Sequence, residues 1–182
     1  ENLRDKAGNF LELFTVLSVG FVLLASEVYR YVYVSKDFWG STMLIPIFVS
    51  SYYTNFLCTF PVNFEYYHKK TKVVSIITIV SSLVNVGLNY LLILRIGMAG
   101  AAVATLISHS LQLTLHYLYV RFVLGGKEYP FPLKMWVGYA AVFAAVAVAS
   151  VAADGLWPAR WGLGAAIGAW ELLRIRKRKV LI

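Results

Sequence analysis

Residues 72–121, KVVSIITIVSSLVNVGLNYLLILRIGMAGAAVATLISHSLQLTLHYLYVR, decide the fold. Lys72, Arg95 and Arg121 are the only formal charges in this stretch. They leave 22 uncharged residues, Val73 to Leu94, and then 25 more, Ile96 to Val120. About 20 apolar residues in a helix cross roughly 30 Å of hydrocarbon. Two such stretches in succession, joined at Arg95-Ile96-Gly97, predict a pair of transmembrane helices with a very short turn.

Working outward, Phe38 to Phe64 adds a third stretch of 27 uncharged residues between Asp37 and Glu65. Only 14% of the chain is charged, against about 25% in an ordinary soluble domain, and the mean hydropathy is +0.68. A soluble fold does not accommodate this composition. The expectation is an all-α, polytopic membrane helix bundle forming a single membrane domain over residues 1–182. Its six spans are placed at about residues 10–34, 41–64, 73–94, 98–120, 135–153 and 161–173. Pro46 and Pro61 are expected to bend or end the second span. Glu65 to Lys72, EYYHKKTK, reads as the clearest loop. The sixth span is the weakest by hydropathy, because ten uncharged residues separate Arg160 from Glu171.

Charge gives the orientation. With the N-terminus inside, 13 of the 17 lysines and arginines fall on the cytoplasmic side. They are Arg4 and Lys6, then Lys69, Lys70 and Lys72, then Arg121, Lys127 and Lys134, and finally Arg174, Arg176, Lys177, Arg178 and Lys179. Arg30, Lys36, Arg95 and Arg160 remain outside. A positive-inside bias of this size calls for an even number of spans and puts both termini in the cytoplasm. The net charge of +8 is therefore read as topological. It is not read as a nucleic-acid surface, since the basic residues sit at the ends of apolar stretches. Cys58, the single cysteine, excludes an internal disulfide and a thiolate zinc cluster. The chain opens on ENLRDKAGN without Met and is expected to be a segment of a longer transporter.

Nothing in the sequence resembles a catalytic constellation: there is no nucleophile elbow, phosphate loop, HExxH or paired acidic cluster. No enzyme activity, cofactor or metal is expected. The informative residues are the polar ones inside the spans, costly in lipid unless they face protein or a water-filled cavity. Asn85 and Asn89, four apart, share one helical face. Thr105, His109, Gln112 and His116 recur at intervals of four, three and four and form a stripe on the fourth span. His109 and His116 are seven residues apart, roughly 10 Å along the axis, too far to chelate one metal. These six residues are the candidates for lining a substrate pathway, with helix-to-helix hydrogen bonding as the structural alternative. The stripe is expected to face a polar cavity, so cysteines placed at 105, 109, 112 and 116 should not all label from lipid. Glu27 and Arg30 are spaced to pair locally. The small residues from Gly97 to Ala104, and Gly164 with Gly168, allow close helix approach.

Residues 69–120, KKTKVVSIITIVSSLVNVGLNYLLILRIGMAGAAVATLISHSLQLTLHYLYV, resemble the C-terminal half of polysaccharide (O-antigen-type) flippases. These belong to the multidrug, oligosaccharidyl-lipid and polysaccharide exporter superfamily. The features that carry the likeness are the basic loop at 69–72, Asn85 with Leu88-Asn89-Tyr90, Gly97-Met98-Ala99-Gly100-Ala101-Ala102, and Ala104 to Ser108. Upstream, SEVYRYVYVSKDFWGSTMLIPI (26–47) resembles the preceding span, loop and proline-bearing helix. The likeness covers about residues 10–125, and beyond that only hydropathy agrees. Many members carry Pro before the glycine turn, where this chain has Leu94-Arg95.

The resemblance implies one lobe of a two-lobed flippase in the cytoplasmic (inner) membrane, carrying an isoprenoid-pyrophosphate-linked glycan by alternating access. Its implied partners are the lipid-linked glycan, membrane lipid and a missing N-terminal lobe, so these residues alone are not expected to transport. The alternatives are a cation-coupled multidrug exporter of the same superfamily and a membrane-bound enzyme of glycan or lipid synthesis. The exporter would be expected to carry an embedded acid, and the central parts of these spans have none.

Overall fold

The computed structural model describes residues 3–32, 41–125, 129–131, 133–152, 158, 160–167 and 169. Five helices have complete bounds: α1 Leu3–Val32, α2 Ile45–Tyr67, α3 Thr71–Ile96, α4 Met98–Phe122 and α5 Leu133–Ala152. Residues 160–167 form a further helical stretch, α6, and no strand occurs among the described residues. The all-α expectation holds. Four helical stretches, Lys6–Ala25, Ser41–Tyr67, Thr71–Ile96 and Met98–Phe122, are long and apolar enough to cross a membrane. Trp136–Val151 is a shorter apolar segment.

The chain divides into two compact units, one of Glu1–Pro46 with Val137–Ile182, the other of Ile47–Trp136. In the first, Leu11, Glu12, Thr15, Ser18, Val19, Val22 and Leu23 of α1 are buried. Their spacing is that of one helical face. The opposite face carries exposed Phe10, Leu17 and Phe21, so these apolar side chains of α1 face outward while Glu12, Thr15 and Ser18 face inward. Gly164 of α6 lies against Leu23 and Leu24. Gly168 falls outside the described residues, as do the side chains of Glu27 and Arg30.

In the second unit, both turns are tighter than the charge pattern suggested. Helix α2 continues through Glu65 to Tyr67. Lys69 takes up a left-handed conformation (φ 58°), Lys70 N–H donates to the Glu65 carbonyl and Lys69 N–H to that of Tyr66 (2.9 Å each). This pair of bonds is a Schellman cap, and it reduces the loop to residues 68–70. Pro46 lies in the first turn of α2, where no helical N–H is needed. Pro61 lies inside α2 without ending it.

Between α3 and α4 the turn is Gly97 alone, with φ 62° and ψ −142°. Gly97 N–H donates to the Ile93 carbonyl and Gly100 N–H to that of Gly97, both at 2.9 Å. A Cβ on Gly100 would collide with the backbone carbonyl of Leu92. The small residues after the turn are therefore a steric requirement of the hairpin at Gly100, not merely a permissive one.

Helix α3 is almost bare: only Val74 and Ser81 are buried. Ile76, Ile79, Leu83, Val86, Leu91 and Leu94 are each more than half exposed. Each such side chain left in water forgoes about 1.5–3 kcal/mol. Six together forgo on the order of 10 kcal/mol or more, comparable with the entire stability of a typical domain. Hydrocarbon or protein must cover α3, and four helices long and apolar enough to cross a membrane make this a multi-pass membrane protein.

Candidate functional site

Hydroxyls are the simplest polar groups to place in an apolar helix, because they can bond to their own backbone. Thr15, Thr54, Ser75, Thr105, Ser108, Ser110 and Thr114 all donate to the carbonyl four residues back, at 2.7–3.2 Å. Asn89 does something similar: its Nδ2 donates to both the carbonyl oxygen and Oδ1 of Asn85, each at 2.9 Å. The shared face of Asn85 and Asn89 is thus a clasp within α3.

The stripe on α4 divides by partner. Thr105 is satisfied by Ala101 of its own helix. Gln112 Nε2 reaches Thr78 Oγ1 of α3 at 3.5 Å, the long limit of a hydrogen bond. His109 turns to α2, where its Nδ1 lies 2.9 Å from the Ser51 carbonyl oxygen and 3.0 Å from Ser51 Oγ. Since the carbonyl can only accept, Nδ1 carries the hydrogen. His116 also turns to α2, and its Nδ1 lies 2.9 Å from both carboxylate oxygens of Glu65. Both side chains of this pair are fully buried.

Several buried polar atoms around the Glu65–His116 pair have no hydrogen-bond partner among the described residues: His116 Nε2, His68 Nε2, Tyr129 Oη and Trp136 Nε1. Rings tie this end of the unit together. Phe64 meets His68 at 4.5 Å and Tyr129 at 5.1 Å between centroids. Trp136 lies 5.7 Å from Tyr129, 5.6 Å from Tyr117 and 5.9 Å from Phe60. The Tyr129 hydroxyl, outside the spans, has its pKa raised, first by burial and then by Tyr117, Cys58 and Glu65. It therefore stays protonated through the physiological range.

The sequence reading missed Glu65, which it assigned to a loop. One signal was available: Glu65 is the sole carboxylate between Asp37 and Glu128, directly after 27 uncharged residues. Its partner, 51 positions away, carries no local signature. Arg160, read from sequence as an outer-loop cation, is buried in the first unit, with Nη2 3.3 Å from the Val22 carbonyl oxygen of α1. Among the described residues no three His, Cys, Asp or Glu side chains gather closely enough to hold a metal ion. No known protein family, characterised protein or solved structure matches the chain.

Proposed function

We propose that the chain is one lobe of a flippase that moves an isoprenoid-pyrophosphate-linked oligosaccharide across the cytoplasmic membrane for polysaccharide biosynthesis. The proposal takes from the sequence six spans, both termini in the cytoplasm, and a second lobe completing the pathway. The observation that carries it concerns the residues bearing the flippase resemblance. They fold as two long apolar helices joined at Gly97, and polar groups of α4 reach α2 and α3 while most of α3 is left for lipid. A bundle with an outer apolar wall and inner polar cross-links suits alternating access, in which one group of helices rocks against another. Asn85, Asn89, Thr105, His109, Gln112 and His116 remain the candidates for lining the pathway. Lipid-linked glycan and membrane lipid are the proposed partners, with no role for nucleic acid.

A second reading, the cation-coupled exporter, gains support from one observation. It calls for an embedded acid, and α2 buries Glu65. Removing the gene product that carries these residues from its own cell separates the two. The flippase reading expects lipid-linked oligosaccharide to accumulate on the cytoplasmic leaflet while surface polysaccharide falls. Unchanged glycan with increased sensitivity to toxic organic cations would overturn it in favour of the exporter.

A further inference from the structure

Glu65 and His116 remove two ionisable groups from solvent together, one on α2 and one on α4. Both carboxylate oxygens converge on a single ring nitrogen, Nδ1, at 2.9 Å. A carboxylate accepts there only if Nδ1 carries a hydrogen. The other ring nitrogen, Nε2, is equally buried and has no partner among the described residues.

With Glu65 ionised, that asymmetry gives the pair two states, each with one defect. With Nε2 bare, a carboxylate faces a neutral imidazole, and the pair holds a net charge of −1 away from water. With a proton on Nε2, a carboxylate faces an imidazolium and the pair is neutral, but one buried N–H lacks an acceptor. An uncompensated buried charge and an unsatisfied buried donor are both unfavourable. The two states differ by one proton at one atom.

The groups around the pair do not remove this choice. Among the described residues, Cys58 on α2 and Tyr129 ahead of α5 interact electrostatically with Glu65, and Tyr117 on α4 acts on Tyr129. His68 lies one turn beyond Glu65, against Phe64. Thiols and phenols of this kind are neutral near pH 7 in their ordinary state. Among the described residues no lysine or arginine pairs with Glu65, and His116 is its ion-pair partner.

We propose that Glu65 and His116 form a proton-binding site, in which His116 Nε2 takes up one proton and brings the buried pair from net −1 to neutral. We further assign this uptake as the event coupled to transport. The coupling rests on the flippase reading; the proton site itself does not. Loading the site removes the net charge from the α2–α4 contact, and release requires Nε2 to meet water or another acceptor, which parting of the two helices would provide.

The test is nitrogen NMR of the full chain in lipid nanodiscs with labelled histidine, from about pH 5 to about pH 9, a window that brackets an ordinary histidine. The three rings are assigned from the signals lost in H68Q, H109Q and H116Q. The expected result is a one-proton transition of the His116 ring. In E65Q that transition moves by about one pH unit or more, while the His109 signals match those of the unsubstituted chain. If E65Q does not fold, E65D, which draws the carboxylate back by one methylene, serves in the same measurement. A His116 ring that keeps one protonation state across the window, or titrates identically without the carboxylate, overturns the site.

The coupling is tested separately. The gene product carrying these residues is placed in vesicles with a labelled isoprenoid-pyrophosphate glycan, and a pH gradient is imposed. A flipping rate that responds to the gradient, and loses that response in H116Q, supports the coupling. Flipping indifferent to the gradient overturns the coupling and leaves the proton site standing. Absence of flipping overturns the transport reading instead.

Discussion

Helices α3 and α4 are neighbours of 26 and 25 residues, joined by one glycine, and by composition they look alike. Their surroundings differ. In its most apolar window 6% of α3 is buried, against 22% of α4. Helix α3 keeps most of its polar groups to itself, with Ser75 bonded to Thr71 and Asn89 clasping Asn85. Helix α4 sends His109 and His116 to α2 and Gln112 to α3. Apolar side chains gain little from packing against one another when lipid is the alternative, so association depends on close fit and polar contacts. The difference therefore separates a helix tied to its neighbours by polar contacts from one that leaves most of its apolar side chains exposed.

The contrast should fail most sharply at the buried pair. E65A strands an imidazole and H116A strands a carboxylate; breaking a buried pair on one side costs about 3–5 kcal/mol. Denaturant titration of the chain in mixed micelles should show that loss for either variant. The double variant should be less damaged than the sum of the two. Full additivity would mean that the two side chains do not act as a pair.

Next in size is the hairpin itself. G100V drives a branched side chain into the Leu92 carbonyl and should cost about 1–3 kcal/mol or prevent folding. The same change at Gly87, where an added Cβ meets nothing within 4 Å, should be far milder. Equal losses at both positions would show that the close approach at Gly100 does not hold the hairpin.

A smaller effect is expected from H109A, which removes the contacts of Nδ1 to Ser51 and should cost about 1 kcal/mol. L83A on the exposed face of α3 should change stability by no more than about 0.5 kcal/mol. A spin label at position 83 should meet a lipid-soluble relaxation agent, whereas one at position 104 should not. A protected position 83 would mean that protein, not lipid, covers α3.

Legibility followed the range of the interactions. The lengths of uncharged sequence were enough to find α3 and α4, because crossing hydrocarbon is a one-dimensional constraint. Gly97 as the pivot was also within reach, though the loop after α2 was read as longer than it is. That loop has no glycine, and Lys69 supplies the left-handed residue of the cap. The polar stripe was correctly placed along α4. Its division was not, since 3.6-residue periodicity says which residues share a face and nothing about what meets them.

Composition and charge spacing alone determined that this chain is helical, with several stretches long and apolar enough to cross a membrane. Those properties follow from the cost of exposing backbone and charge to hydrocarbon, paid residue by residue along the chain. Only the tertiary structure decided that Glu65 is a buried member of α2 and that His116 is its partner. Residues 51 positions apart meet through the packing of two helices, and no local pattern encodes that meeting. That His116 Nε2 has no partner among the described residues is likewise a property of the assembled unit, because a nitrogen lacks a partner only once its surroundings are in place.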